Sequence, residues 1–248
     1  MRKRLKLFIF SGFLALLLLA VSAAILDAFH REPSYQGKRL SAWIDDLRDL
    51  SRSNYLQEYD TNTQPARAIR AIGSNAIPWL LNDIQHPGLP WRFRANVLLE
   101  KQHLVNFRFH DAYYNLQQAM YGFCALGEQA KPAIPDLLKL VSKSPAYVPV
   151  MLANIGPDAI PALQQCLTNT YSEQVFDTST RTYVRNCPIP GQTIFAIHNA
   201  INFGRIPKSY ALLFVPAVRA WSVSTNRSSV ELDYAGTFLA SFDPRFNR

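Results

Sequence analysis

Five histidines, His30, His86, His103, His110 and His198, are the first residues to test for catalysis or metal binding. None stands four residues from another on a helix, and no His-Glu-x-x-His occurs, so they read as isolated surface or packing residues. His110-Asp111 beside Tyr113 and Tyr114 gathers groups that could orient a proton carrier, yet neighbours on a helix point apart. Asp45-Asp46 and the Glu58, Asp60 pair suit solvated faces or caps better than an acid–base pair. There is no Gly-x-Ser-x-Gly, no phosphate-binding glycine loop and no dinucleotide fingerprint. The expectation is a chain with no catalytic residue, no metal and no cofactor.

The cysteines point the same way. Cys124 lies in an apolar helical run and Cys166 among leucine and glutamines, both as small core side chains. Cys187 falls in a loop-like stretch, where a disulfide to Cys166 is the alternative to a free thiol. No Cys-x-x-Cys or cysteine–histidine spacing suggests zinc. Aromatic and basic residues interleave at Trp91-Arg92-Phe93-Arg94 and Phe107-Arg108-Phe109-His110. Such a pattern could stack on single-stranded nucleic acid. Arginine stems packed on rings for stability, or a contact with a protein or anionic polymer, are the readings preferred over nucleic acid.

The elements that would position these residues are written as a repeated phrase. Ile-Pro recurs at Ile77-Pro78, Ile134-Pro135 and Ile160-Pro161, each time after an alanine (Ala76, Ala133, Ala159). Leucine follows two residues on (Leu80, Leu137, Leu163), and Ile84, Val141 and Leu167 stand six on. Positions −1, +2, +3 and +6 from the proline share one side of a helix, giving an apolar stripe. Proline suits the first helical turn, and the upstream glycines Gly73, Gly127 and Gly156 suit the left-handed stop of a preceding helix. A worn fourth copy runs near Gly204 to Val218. Each copy is thus helix, stop, turn, helix, and a lone hairpin of this kind cannot bury its stripe unless it stacks on others.

This phrase resembles HEAT repeats of the short bacterial kind over about Gln64–Ile84, Gln117–Val141 and Tyr147–Leu167. It departs from the longer form in lacking a regular Asp and Arg pair in the second helix. Spacing is uneven, with 54 residues from Gly73 to Gly127 and 29 from Gly127 to Gly156. The resemblance implies an all-α fold: an α-solenoid of stacked helical hairpins, a HEAT-like or armadillo-like superhelix. Tyr35 to Trp43 resembles the lead-in found before such repeats in membrane-anchored proteins and is expected to cap the stack.

Composition and targeting frame the rest. The chain has 248 residues, 48% of them hydrophobic, enough for a sizeable core. Residues 1–6 are basic and 7–26 carry no charge, a span of about 30 Å as a helix, matching one bilayer core. The basic flank predicts a cytoplasmic N-terminus and a body on the extracytoplasmic side. The alternative is a signal peptide cleaved near Ala23, leaving a secreted or periplasmic protein. The leader supplies half of the formal charge of +8, so the remainder is only mildly basic. Residues 27–39 read as a linker, 40–241 as the helical body with an irregular insertion at 168–192, and 242–248 as a tail. Helices are expected at Thr193 to Phe203, Tyr210 to Val223 and Ser229 to Ser241.

Solenoids bind along extended surfaces lined by their second helices. By that analogy the candidate contact residues for an unknown protein partner are Asn82, Asp83, Lys139, Gln164 and Gln165, with Arg92, Arg94 and Arg108 from the aromatic–basic stretches. The leading expectation is a non-catalytic, membrane-tethered scaffold for protein–protein interaction. The alternatives are an enzyme-accessory or lyase-like protein with a pocket lined by His103, His110, Tyr113 and Tyr114, and a weakly basic binder of anionic polymer.

Overall fold

Leucines and alanines at helical spacing, punctuated by glycine and proline, build a predominantly α-helical body. The computed structural model describes residues 17, 32–52, 62–85, 112–168, 172–177, 182–223 and 229–246. The chain divides into two units, residues 1–33 and 34–248. Of the 7–26 stretch only Leu17 is described, helical and exposed. No helix among the described residues is long and apolar enough to cross a membrane. Apart from Leu17, the predicted span and its cleavage site lie outside them, as do Arg92, Arg94, Arg108, His86, His103 and His110.

The second unit opens on a small hairpin, β1 (Ser34–Tyr35) and β2 (Lys38–Arg39), paired antiparallel. Gln36 and Gly37 both take positive φ, 51° and 75°, as a two-residue hairpin turn requires. The Trp43 indole N–H donates to the Tyr35 carbonyl at 3.2 Å, and the Lys38 ammonium stands 4.4 Å over the Trp43 ring. Residues 34–39 are thus part of the folded body, a correction to their reading as linker.

Helices follow in the order α1 (Leu40–Arg52), α2 (Gln64–Ile72), α3 (Ile77–Gln85), α4 (Ala112–Leu126), α5 (Ile134–Leu140), α6 (Val148–Ile155) and α7 (Ile160–Thr168). A strand pair comes next, β3 (Ser172–Asp177) and β4 (Thr182–Pro188), then α8 (Ile189–Asn202), α9 (Val215–Ser222) and α10 (Ser229–Phe242). Thr63 caps α2, its hydroxyl accepting from the Ala66 amide at 3.4 Å. Short 3₁₀ segments at Gly73–Ala76, Gly127–Ala133 and Pro157–Ala159 join the two helices of successive hairpins. The chain reverses at Gly73, Gly127 and Gly156, with φ of 65°, 56° and 102°.

Helices close in sequence pack on one another. Helix α2 packs on α4, α4 on α6, α6 on α8 and α8 on α10, while α3 meets α5 and α7 meets α9. Helix α1 closes on α2 and α4. Equivalent positions carry equivalent burial. Ala76, Ala133 and Ala159 are buried, as are Leu80, Leu137 and Leu163, and Ile84, Val141 and Leu167. The prolines Pro78, Pro135 and Pro161 face solvent. The expected stripe needs one amendment. Position +3 is only half-buried in Leu81 and Leu138 and exposed in Gln164, whereas +5 enters the core as Leu140 and Cys166.

Two departures from expectation trace to proline chemistry. Pro190 sits in the first turn of α8, where its missing N–H leaves no bond unmade, so the helix starts at Ile189 rather than Thr193. The Thr193 hydroxyl donates to the Ile189 carbonyl at 2.6 Å, one helical turn back. Pro216 blocks continuation from the preceding turn, and the single helix expected over Tyr210 to Val223 becomes a 3₁₀ segment, Lys208–Leu213, followed by α9. The insertion is regular where described: β3 and β4 pair antiparallel from Ser172↔Pro188 to Asp177↔Thr182, with a register shift between Glu173 and Val175.

Candidate interaction surface

The second helices place their +4 residues in register. Asn82, Lys139 and Gln165 are all exposed, on α3, α5 and α7 respectively. Lys139 reaches back one turn to Asp136 at 2.8 Å. Gln164 has a structural task, donating to the Leu213 carbonyl at 3.4 Å and tying α7 to the segment before α9. Asp83 departs from its expected place. It is 8% exposed, because +5 faces the core where the other copies carry Leu140 and Cys166. The candidate row therefore reduces to Asn82, Lys139 and Gln165 among the described residues.

A polar cluster that sequence reasoning did not assemble joins α1 to α4. The Asp45 carboxylate accepts from the Tyr114 hydroxyl at 2.7 and 2.9 Å and from the Gln118 amide at 2.7 Å. Arg48 pairs with Asp45 at 2.9 Å and lies 4.9 Å over the Tyr114 ring. Burial, reinforced by the Asp45 carboxylate, pushes the Tyr114 phenol well above its ordinary range, so it stays protonated as a donor. This is a staple between helices. Tyr113 is exposed and Tyr114 is bound to Asp45, while His103 and His110, the other two residues expected to line a pocket with them, lie outside the described residues.

Burial raises the Cys124 thiol to about 12 and Cys166 to about 11, and both are free thiols in the core. No group of three or more His, Cys, Asp or Glu side chains among the described residues is placed to hold a metal ion. A cleft of about 220 Å³ between α8 and α10 is lined by Phe195, His198, Asp233, Tyr234 and Thr237. His198 packs edge-on against Phe242 at 5.8 Å, and burial lowers its pKa from the ordinary 6.5.

A larger groove of about 650 Å³ runs along α9. The segment from Leu212 through Val215, Pro216, Ala220 and Val223 forms one wall, and Asp243, Pro244 and Arg245 form the other. Leu212 is 57% and Val223 78% exposed. Arg219 pairs with Asp243, whose carboxylate is 2% exposed and also accepts from the Arg245 amide at 3.0 Å. The apolar spacing of 212, 216, 220 and 223 was the available signal. The pairing of Arg219 with Asp243, 24 residues apart, had none.

No family model, curated protein or solved structure matches this chain.

Proposed function

We propose that this protein is a non-catalytic helical-repeat scaffold, an α-solenoid of the HEAT-like kind, tethered to the membrane through residues 7–26 and binding another protein on the extracytoplasmic side. The observation that carries the reading is the shared burial register of the copies at Pro78, Pro135 and Pro161, together with first helices that pack successively on one another. Units that contact chiefly their neighbours favour an extended surface over an enclosed cavity. The exposed row of Asn82, Lys139 and Gln165 is the face assigned to the partner. Charge supports the topology, since basic residues precede the apolar stretch and Asp27 and Glu32 follow it.

The test is photo-crosslinking in intact cells, with a photoreactive amino acid placed singly at Asn82, Lys139 or Gln165. A discrete adduct of the same mass from all three sites is expected, with none from the solvent-facing Pro78. Absence of any adduct across growth conditions would remove the scaffold reading. Externally added protease should digest the body in cells stripped of outer barriers, and N-terminal sequencing separates an intact anchor from cleavage near Ala23.

A further inference from the structure

We propose that the groove along α9 holds an amphipathic helix of a partner protein, one with an apolar stripe flanked by carboxylates. The inference rests on the scaffold reading and names the segment such a partner would present. Leu212, Pro216, Ala220 and Val223 recur at helical spacing and are all exposed, an unpaired ridge of the kind that accepts a helix presenting anchors at i, i+3, i+4 and i+7. Leu212 lies in the 3₁₀ segment, and α9 adds eight residues, about 12 Å or some two turns alongside a docked helix.

The charges select the sign. Among the described lining residues Asp243 is the one carboxylate, and it is withdrawn from solvent, held by Arg219 and by the Arg245 amide. What faces an incoming group is guanidinium: Arg219, with a side chain 44% exposed, and Arg245, itself exposed. A carboxylate approaching this rim is attracted, and a lysine is repelled. The same two arginines argue against a second copy docking groove to groove, because a two-fold pair would set like charges face to face. The site is concave and walled on both sides, which suits a rod better than a flat lipid surface.

Binding is read by fluorescence anisotropy on the full chain in phosphatidylcholine nanodiscs. The probes are three labelled peptides of about 18 residues: leucines at i, i+3, i+4 and i+7 on a glutamate-rich helix, the same leucines on a lysine-rich helix, and the glutamate peptide with its leucines scrambled. The first should bind on the order of tenfold tighter than either control. Leu212→Glu and Arg245→Glu should each weaken it by about as much, and Arg245→Glu should also improve the lysine peptide. Both sites are exposed, so unchanged circular dichroism and melting are required of each variant.

Equal binding of the glutamate and lysine peptides, or indifference to Leu212→Glu, overturns the proposal. So does dimerisation that Leu212→Glu abolishes, which would assign the groove to a second copy. A null peptide result beside a clear adduct at Gln165 removes this inference and leaves the scaffold; null results in both remove the two together.

Discussion

The Tyr114 hydroxyl donates to both oxygens of the Asp45 carboxylate, at 2.7 and 2.9 Å, across 69 residues of chain. This bond fastens α1 onto α4 and so closes the first end of the helical body. Tyr114→Phe deletes the donor and should cost about 1.5 kcal/mol, the low end for a hydrogen bond to a charged group, since Asp45 retains Arg48 and Gln118. Asp45→Ala should cost more, because it takes the shared carboxylate from Tyr114, Arg48 and the buried Gln118 at once, leaving Gln118 only the Tyr114 oxygen. Urea titration measures both; a Tyr114→Phe variant as destabilised as Asp45→Ala would mean the phenol ring, not its hydroxyl, is the staple.

Two glycines should answer differently to alanine. Gly156 sits at φ 102°, ψ −154°, and a Cβ there would lie 3.3 Å from the Arg205 carbonyl oxygen. Gly156→Ala should cost about 2 kcal/mol from backbone strain alone. Gly122 lies within α4, where a Cβ would meet the Leu80 Cδ2 at 2.5 Å. Overpacking costs about 1–3 kcal/mol, and removing a mid-helix glycine returns about 0.5–1 kcal/mol, so Gly122→Ala should be net unfavourable by about 1 kcal/mol. Denaturant midpoints at constant slope check the order.

Cys124 and Cys166 should be silent to thiol reagents in the native state. With Cys124 held near 12 and Cys166 near 11 by burial, the thiolate population at pH 8 is negligible and the sulfurs are covered. Mass spectrometry after iodoacetamide treatment should find both unmodified in the native protein and both carbamidomethylated in guanidinium. Labelling of Cys166 at the rate of a free peptide thiol would place α7 outside the core.

Acid should weaken the C-terminal helices in two stages. Burial beside Phe238 and Phe242 depresses His198 below its ordinary 6.5 in the fold. The unfolded chain therefore takes up that proton first, and stability drops as pH falls below that value. Asp243 is held below its ordinary 3.8, chiefly by Arg219, so its contribution is present above that value and lost further into acid. Thermal melts from pH 8 to 3 should fall in both windows, and His198→Phe should flatten the first alone. Asp243→Asn should lower the melting temperature already at pH 7, because it removes the charge facing Arg219.

What was legible in the sequence was local. The Ala-Ile-Pro phrase, the leucine two residues on and the glycine before it are short-range signals, and their burial register repeats across α3, α5 and α7. Asp83 was misplaced because polarity alone suggested a wet face, while its +5 position turns inward. Val175, Phe176, Tyr183 and Val184 were the strand-forming residues of the insertion, obscured by the threonines, serines and asparagines around them. The Asp45–Tyr114 and Arg219–Asp243 pairs join residues far apart in the chain, and no periodicity announces such partners. The cleft along α9 depends on the second pair and was equally hidden.

The β3–β4 ribbon leaves the body after Thr168 and returns at Ile189, yet α7 and α8 still touch each other directly. Ser172 pairing with Pro188 draws the two stems together, so the detour imposes nothing on the layers it interrupts. That makes the ribbon a splice port: the chain joining β3 to β4 can be exchanged without retuning the helices, and new binding specificity can be added there at little risk to the rest.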